Sequence, residues 1–122
     1  MVGKHIILDI YAITDNEKIR TCEALEPRFE EIVKGFGLDV LEKSKHNFKP
    51  FGATMLYLLS ESHLSGHTFY EECRVSMDIF TCGQLINCEK LILTHAEKLD
   101  FFHEMPFHLL AQVRKCKFFV AK

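Results

Sequence analysis

The chain has 122 residues and 14.2 kDa, with 48% hydrophobic and 26% charged residues, enough for one domain around a single core and too little for two. Fifteen Lys and Arg stand against seventeen Asp and Glu in a scattered pattern, which argues against a nucleic-acid surface, and no 18-residue apolar run is present that could span a bilayer. Five Cys, at positions 22, 73, 82, 88 and 116, form no C-x-x-C pair, so neither a disulfide framework nor a zinc ribbon is expected and a reducing, cytoplasmic compartment fits.

In chain order, "KHIILDIYAI" reads as a first strand and not as an export signal, because its apolar run is short and broken by Asp9. "TDNEKIRTCEALEPRFEEIVKGFG" reads as one helix with Thr14 or Asp15 as N-cap, Gly35 and Gly37 at its end, and a kink or break at Pro27. "LDVLEKSKHNF", the apolar run "GATMLYLLS" and "CRVSMDIFTC" read as three more strands, the last with Val75, Met77 and Ile79 on one face. "CEKLILTHAEKLDFF" has helical periodicity after Asn87, and "FHLLAQVRKCKFFV" could supply a last strand. Strands joined by short turns with helices set apart predict an α+β fold: a two-layer sandwich of an antiparallel β-sheet with helices packed on one face.

Between the second and third of those later strands lies "LLSESHLSGHTFYEE", residues 58–72, which concentrates Glu61, Ser62, His63, His67 and Glu71. His63 and His67 are four apart, the spacing of a helical metal pair, but Gly66 and the flanking strand patterns oppose a helix, so they read as turn histidines and no metal site is expected. A Ser-His nucleophile pair lacks the G-x-S-x-G elbow of an ordinary hydrolase. Taken singly, Thr54 reads as a β-branched strand residue, Cys82 as a small residue ending a strand, Tyr57 as packing, and Asp78 as solvent-facing or cross-strand paired.

The run "HNFKPFGATMLYLLSESHLSGHTFYEECRVSMDIFTCG", residues 46–83, resembles the prokaryotic S-adenosylmethionine decarboxylase proenzymes: an F-x-P-x-G turn, a strand, E-S-H-L, H-T-aromatic, then D-x-F-T-C, all in order. The start "GKHIILDIY" is similar to that family as well. The resemblance implies a precursor that cuts itself between Glu61 and Ser62 into chains 1–61 and 62–122 and converts Ser62 into a pyruvoyl cofactor. It implies that His67 moves protons during processing and that Thr54 supports the processing intermediate. Cys82 would be the proton donor of the decarboxylation, in which the pyruvoyl carbonyl takes the place of pyridoxal phosphate as electron sink.

By the same resemblance, Phe48 and Phe69 stack the adenine of S-adenosylmethionine and Glu71 holds the ribose hydroxyls. The enzyme would be a homodimer of processed protomers with sites near the interface, supplying the aminopropyl donor for spermidine synthesis. The chain departs from the family at "HTFYE", where Tyr70 replaces a Pro, and at Gly66, where a branched residue is usual; a bulkier Tyr70 could narrow an adenosyl pocket, and Gly66 would loosen the backbone before His67. Three alternatives stand beside this reading: a pyruvoyl-dependent decarboxylase of arginine or ornithine, a non-catalytic homologue, and a metal-binding module.

Overall fold

The computed structural model describes residues 4–11, 13–60, 62–81 and 117–121. Six strands form one antiparallel sheet: β1 (Lys4–Ile10), β2 (Val40–Asn47), β3 (Ala53–Leu59), β4 (Ser62–Phe69), β5 (Arg74–Thr81) and β6 (Lys117–Ala121). Their spatial order is β2-β3-β4-β5-β1-β6, so the first strand of the chain enters next to the last hairpin. Helix α1 (Cys22–Phe36) covers one face, completing the two-layer α+β arrangement. The periodic segment 88–102 lies outside the described residues, whereas the end of the tail forms β6 as expected.

The segment read as one long helix divides at Arg20. Residues Asn16–Ile19 form a 3₁₀ turn behind Asp15, whose side chain makes no cap bond, and α1 starts afresh after Thr21. Thr21 is the working cap: its hydroxyl accepts the Ala24 N–H at 3.1 Å, satisfying one of the helix's free donors. Pro27 does not break the helix: α1 continues through it to Phe36, with the ring exposed. The end is a Schellman-type turn, with Gly37 at φ 63° and ψ 37° and the Leu38 N–H reaching the Val33 carbonyl at 2.8 Å. Leu25, Phe29, Ile32 and Val33, spaced at one helical face, are buried against the sheet.

Residues 62–69, read from sequence as a turn carrying two histidines, form a central strand instead. The period-2 signal is there: Leu64, Gly66 and Thr68 are buried against α1, while His63, Ser65 and His67 point the other way. Polar residues at the outward positions 63, 65 and 67 masked it. Nor does Gly66 loosen the backbone. A Cβ built on it would lie 2.6 Å from Phe29 Cζ and 2.9 Å from Cε1, so the fully buried Phe29 ring occupies the space a side chain would need. Gly66→Ala is therefore expected to destabilise the fold by about 1–3 kcal/mol through overpacking. Urea melts should show that penalty shrinking in a Phe29→Leu background; equal penalties in both would remove the packing explanation.

Tyr57 packs as expected, fully buried with its ring edge-on to Phe29 at 5.2 Å and its hydroxyl donating to Glu30 at 2.8 Å. The strand that carries it reads as continuously apolar because both of its faces are. Ala53, Met55, Tyr57 and Leu59 face α1, while Leu56 and Leu58 turn to the opposite face at 45% and 46% exposure, joined there by Ile7 at 41%. Among the described residues no helix is long and apolar enough to cross a membrane.

Candidate active site

The face of the sheet away from α1 carries Thr54, His67, Phe69 and Asp78, and register decides which side chains meet there. Thr54 on β3 lies opposite His67 on β4, and the Thr54 hydroxyl is 2.5 Å from His67 Nδ1. Two aromatic rings flank this imidazole, Phe69 at 4.7 Å and Phe48 at 5.7 Å between centroids, each inclined by 72°. Phe48 is placed by the turn that follows β2: its N–H reaches the Gly52 carbonyl at 2.9 Å, and the Gly52 N–H reaches the Arg20 carbonyl at 2.8 Å. Gly52 sits at φ 111°, which an L side chain rarely adopts, so the F-x-P-x-G pattern has a backbone reason for its glycine.

Phe69 has a partner the sequence did not reveal. The Arg74 guanidinium carbon lies 3.8 Å from its ring centroid, and Arg74 is itself held by Ser76 at 3.0 Å and Asp9 at 3.8 Å. Glu71 is exposed on the short 3₁₀ turn Tyr70–Glu72 and borders a depression of about 200 Å³ together with Phe51, Phe69 and Tyr70. Tyr70, the departure from the family pattern, is pinned at the rim. Its ring lies 4.5 Å from that of Phe51, and its hydroxyl donates to Glu17 at 2.8 Å. That hydrogen bond, with a further one from Arg20, holds the Glu17 carboxyl below its ordinary value, and the carboxylate in turn raises the Tyr70 hydroxyl.

At the other end of β4, Ser62 is half-buried and paired with Leu59 on one side and Thr81 on the other. Its φ of 154° lies in a region that L residues avoid, at a cost of about 1–3 kcal/mol. Glu61 and Cys82 lie outside the described residues; Cys82 directly follows Thr81, the strand partner of Ser62. Beside Ser62, His5 and His63 both direct Nε2 at Asp78 Oδ2, at 2.7 Å and 3.0 Å, and Ser65 donates to Oδ1. Burial opposes ionisation of Asp78, and the hydrogen bonds from Ser65, His5 and His63 outweigh it, holding the carboxyl below its ordinary value.

A concavity of about 470 Å³ links the two ends across the open face, with Thr54 and His67 on one wall and Ser65 and Asp78 on another. The structure thus brings Thr54, His67, Phe48 and Phe69 together, and it leaves Ser62 apart from them. Five residues of extended strand separate Ser62 from His67, roughly 16 Å, and an odd offset turns their side chains to opposite faces. Ser65 and Arg74 were not singled out from the sequence, and His5 entered only within the family-like start "GKHIILDIY". Their only early signal is position: the residue after Gly-Lys, the residue two beyond His63, and the start of the strand ending in "DIFTC".

Comparison with known proteins is consistent throughout. The family model for S-adenosylmethionine decarboxylase matches residues 4–104. The S-adenosylmethionine decarboxylase proenzyme of Prochlorococcus marinus (strain MIT 9313) is 37% identical over 126 aligned positions, covering 96% of this chain and 99% of the relative. That of Picrophilus torridus is 39% identical over 89 residues, covering 73% of this chain and 68% of the relative. Among solved structures, the adenosylmethionine decarboxylase of Aquifex aeolicus superposes with a TM-score of 0.70 at 28% identity, covering 98% of this chain and 88% of that one. With its six-stranded sheet, its F-x-P-x-G turn and its Thr54–His67 pair in place, the chain belongs to the S-adenosylmethionine decarboxylase family.

Proposed function

We propose that the chain is a single-domain proenzyme that cleaves itself between Glu61 and Ser62 and then decarboxylates S-adenosylmethionine. The observation that carries this reading is the Thr54–His67 pair, held at 2.5 Å between two aromatic rings on the open face. For cleavage, the Ser62 hydroxyl oxygen adds to the Glu61 carbonyl carbon and the Ser62 nitrogen leaves it, converting the amide to an ester. Loss of the Ser62 Cα proton then expels the Glu61 carboxylate and ends the first chain at residue 61. Addition of water and loss of ammonia leave a pyruvoyl group at the start of residues 62–122. Backbone strain at Ser62 favours the first step, because the amide is raised relative to the ester that relaxes it.

His67 is suited to the proton transfers. The Thr54 hydroxyl fixes its Nδ1, which leaves Nε2 to take up and return protons, and the Thr54 oxygen supports the developing oxyanion. His67 lies too far from its own Ser62 to serve it, which supports a homodimer in which each site takes Ser62 and Cys82 from one chain and Thr54 and His67 from the other. The exposed Ile7, Leu56 and Leu58 on the same face give a second copy an apolar surface to cover.

The pyruvoyl carbonyl supplies the electron sink for loss of CO₂. Phe48 and Phe69 hold the adenine, Glu71 accepts hydrogen bonds from the ribose hydroxyls, and Cys82 Sγ returns a proton to the substrate carbon. The product is the aminopropyl donor for spermidine synthesis. Tyr70, anchored outward on Phe51 and Glu17, walls the depression without closing it. Labelled CO₂ release from S-adenosylmethionine, arginine and ornithine tests the assignment: release from S-adenosylmethionine alone is expected, and release only from a basic amino acid would overturn it.

A further inference from the structure

The decarboxylation uses neither imidazole of the His5–His63–Asp78 cluster. Three strands converge there: His5 from β1, His63 from β4 and Asp78 from β5. The ligand-type atoms of the three, two Nε2 and one carboxylate oxygen, all lie within 4.8 Å of one another. The sequence pair weighed for a metal, His63 with His67, cannot share an ion, because four residues of strand hold them about 13 Å apart. Register supplies a different partner. His5 and His63 both pair with Phe80, one on either side of β5, and both turn toward Asp78 on that strand.

Neighbouring side chains orient the three groups. Ser65 donates to Asp78 Oδ1 and leaves Oδ2 aimed at the two imidazoles. The Phe80 ring fixes both ring planes, stacked with His63 at 24° and edge-on to His5 at 85°. Side-chain exposures of 34%, 37% and 23% for His5, His63 and Asp78 leave a path for an ion. Zinc-to-ligand bonds of about 2.0–2.2 Å place neighbouring ligand atoms of a tetrahedral site roughly 3.3 Å apart. The present Nε2–Oδ2 separations of 2.7 Å and 3.0 Å need to widen by about 0.6 Å and 0.3 Å, with the two Nε2 atoms already within 4.8 Å of each other.

We propose that His5 Nε2, His63 Nε2 and Asp78 Oδ2 form a site for one divalent cation of the imidazole-preferring class, Zn²⁺ foremost, with water in the fourth position. The ion is held by the Nε2 lone pairs of two neutral imidazoles, each keeping its proton on Nδ1, so it takes the place of the two Nε2 contacts to Asp78. This assignment does not depend on self-cleavage. It ties β1 and β5 to the residue that follows Ser62.

Titration of the full chain with Zn²⁺ against a chromophoric chelator, and with Co²⁺ followed by visible absorption, tests it. One equivalent per chain is expected, with the d–d bands of a tetrahedral N/O site and no thiolate charge-transfer band. His63→Gln and Asp78→Asn should each remove that equivalent, and Ser65→Ala should weaken it about 10- to 100-fold. A thiolate band in the wild-type chain, no stoichiometric binding, or an equivalent retained in both ligand variants would each overturn the proposal. The wild-type Co²⁺ spectrum decides even where a variant fails to fold.

Discussion

A His67→Ala chain is expected to accumulate as the uncut 122-residue species of 14.2 kDa, with processing slowed by about 10²- to 10⁴-fold, the usual contribution of a positioned acid-base group. Thr54→Ala should slow processing less, because the imidazole remains and loses one hydroxyl that orients Nδ1 and supports the oxyanion. The geometry makes a sharper statement. If His67 serves the Ser62 of a second copy, co-expressing His67→Ala with Ser62→Ala restores cleavage, and only of the chain that carries His67→Ala. Mass spectrometry distinguishes the two chains. Each variant uncut alone and both uncut together would mean that His67 acts within its own chain, against the roughly 16 Å of strand that separates the pair.

The second large effect is on substrate binding. Phe69 is the ring nearest His67, and the Arg74 guanidinium covers one of its faces at 3.8 Å, which leaves the other for the adenine. Phe69→Ala removes the stacking surface and releases Arg74 from its cation–π contact. Stacking of a base on an aromatic side chain is worth about 1–3 kcal/mol, so KM for S-adenosylmethionine should rise about 5- to 150-fold. The maximal rate of the processed enzyme should change far less, since Ser62, His67 and Cys82 are untouched. A fall in kcat at constant KM would place Phe69 in the processing or chemical machinery and not in the adenine site.

How much of this could be read from the chain depended on whether a local pattern carried the information. The strands β1, β2, β3 and β5 and the Gly37 stop were legible because alternation, apolar runs and a left-handed glycine are local properties. β4 was missed because Ser62, His63, Ser65 and His67 look like loop residues until their neighbours Leu64, Gly66 and Thr68 are seen to be buried. Gly66 shows the same limit: it reads as a loosening, and it is the room made for Phe29, 37 residues earlier (66 − 29). The long helix was misread because Asp15 resembles a cap as well as Thr21 does, and only the tertiary path gives Thr21 the bond to Ala24.

For the candidate site, the family pattern singled out Thr54, His67, Phe48 and Phe69, and the register between β3 and β4 explains why Thr54 and His67 meet. What the pattern does not convey is distance. Adjacent motifs such as E-S-H-L and H-T-aromatic look like one cluster on paper, yet they occupy opposite ends of a strand. The pairing of His5 with His63 and Asp78, residues up to 73 positions apart, follows from β1 entering the sheet beside β5, which no local signal records.

The most direct test of the central claim is the denatured intact mass of the freshly purified wild-type protein, before and after treatment with a carbonyl reagent. Two fragments divided between Glu61 and Ser62 are expected, the second with a blocked N-terminus that gains the mass of the reagent. A single chain of 14.2 kDa that stays whole on prolonged incubation would contradict the account and favour a non-catalytic homologue.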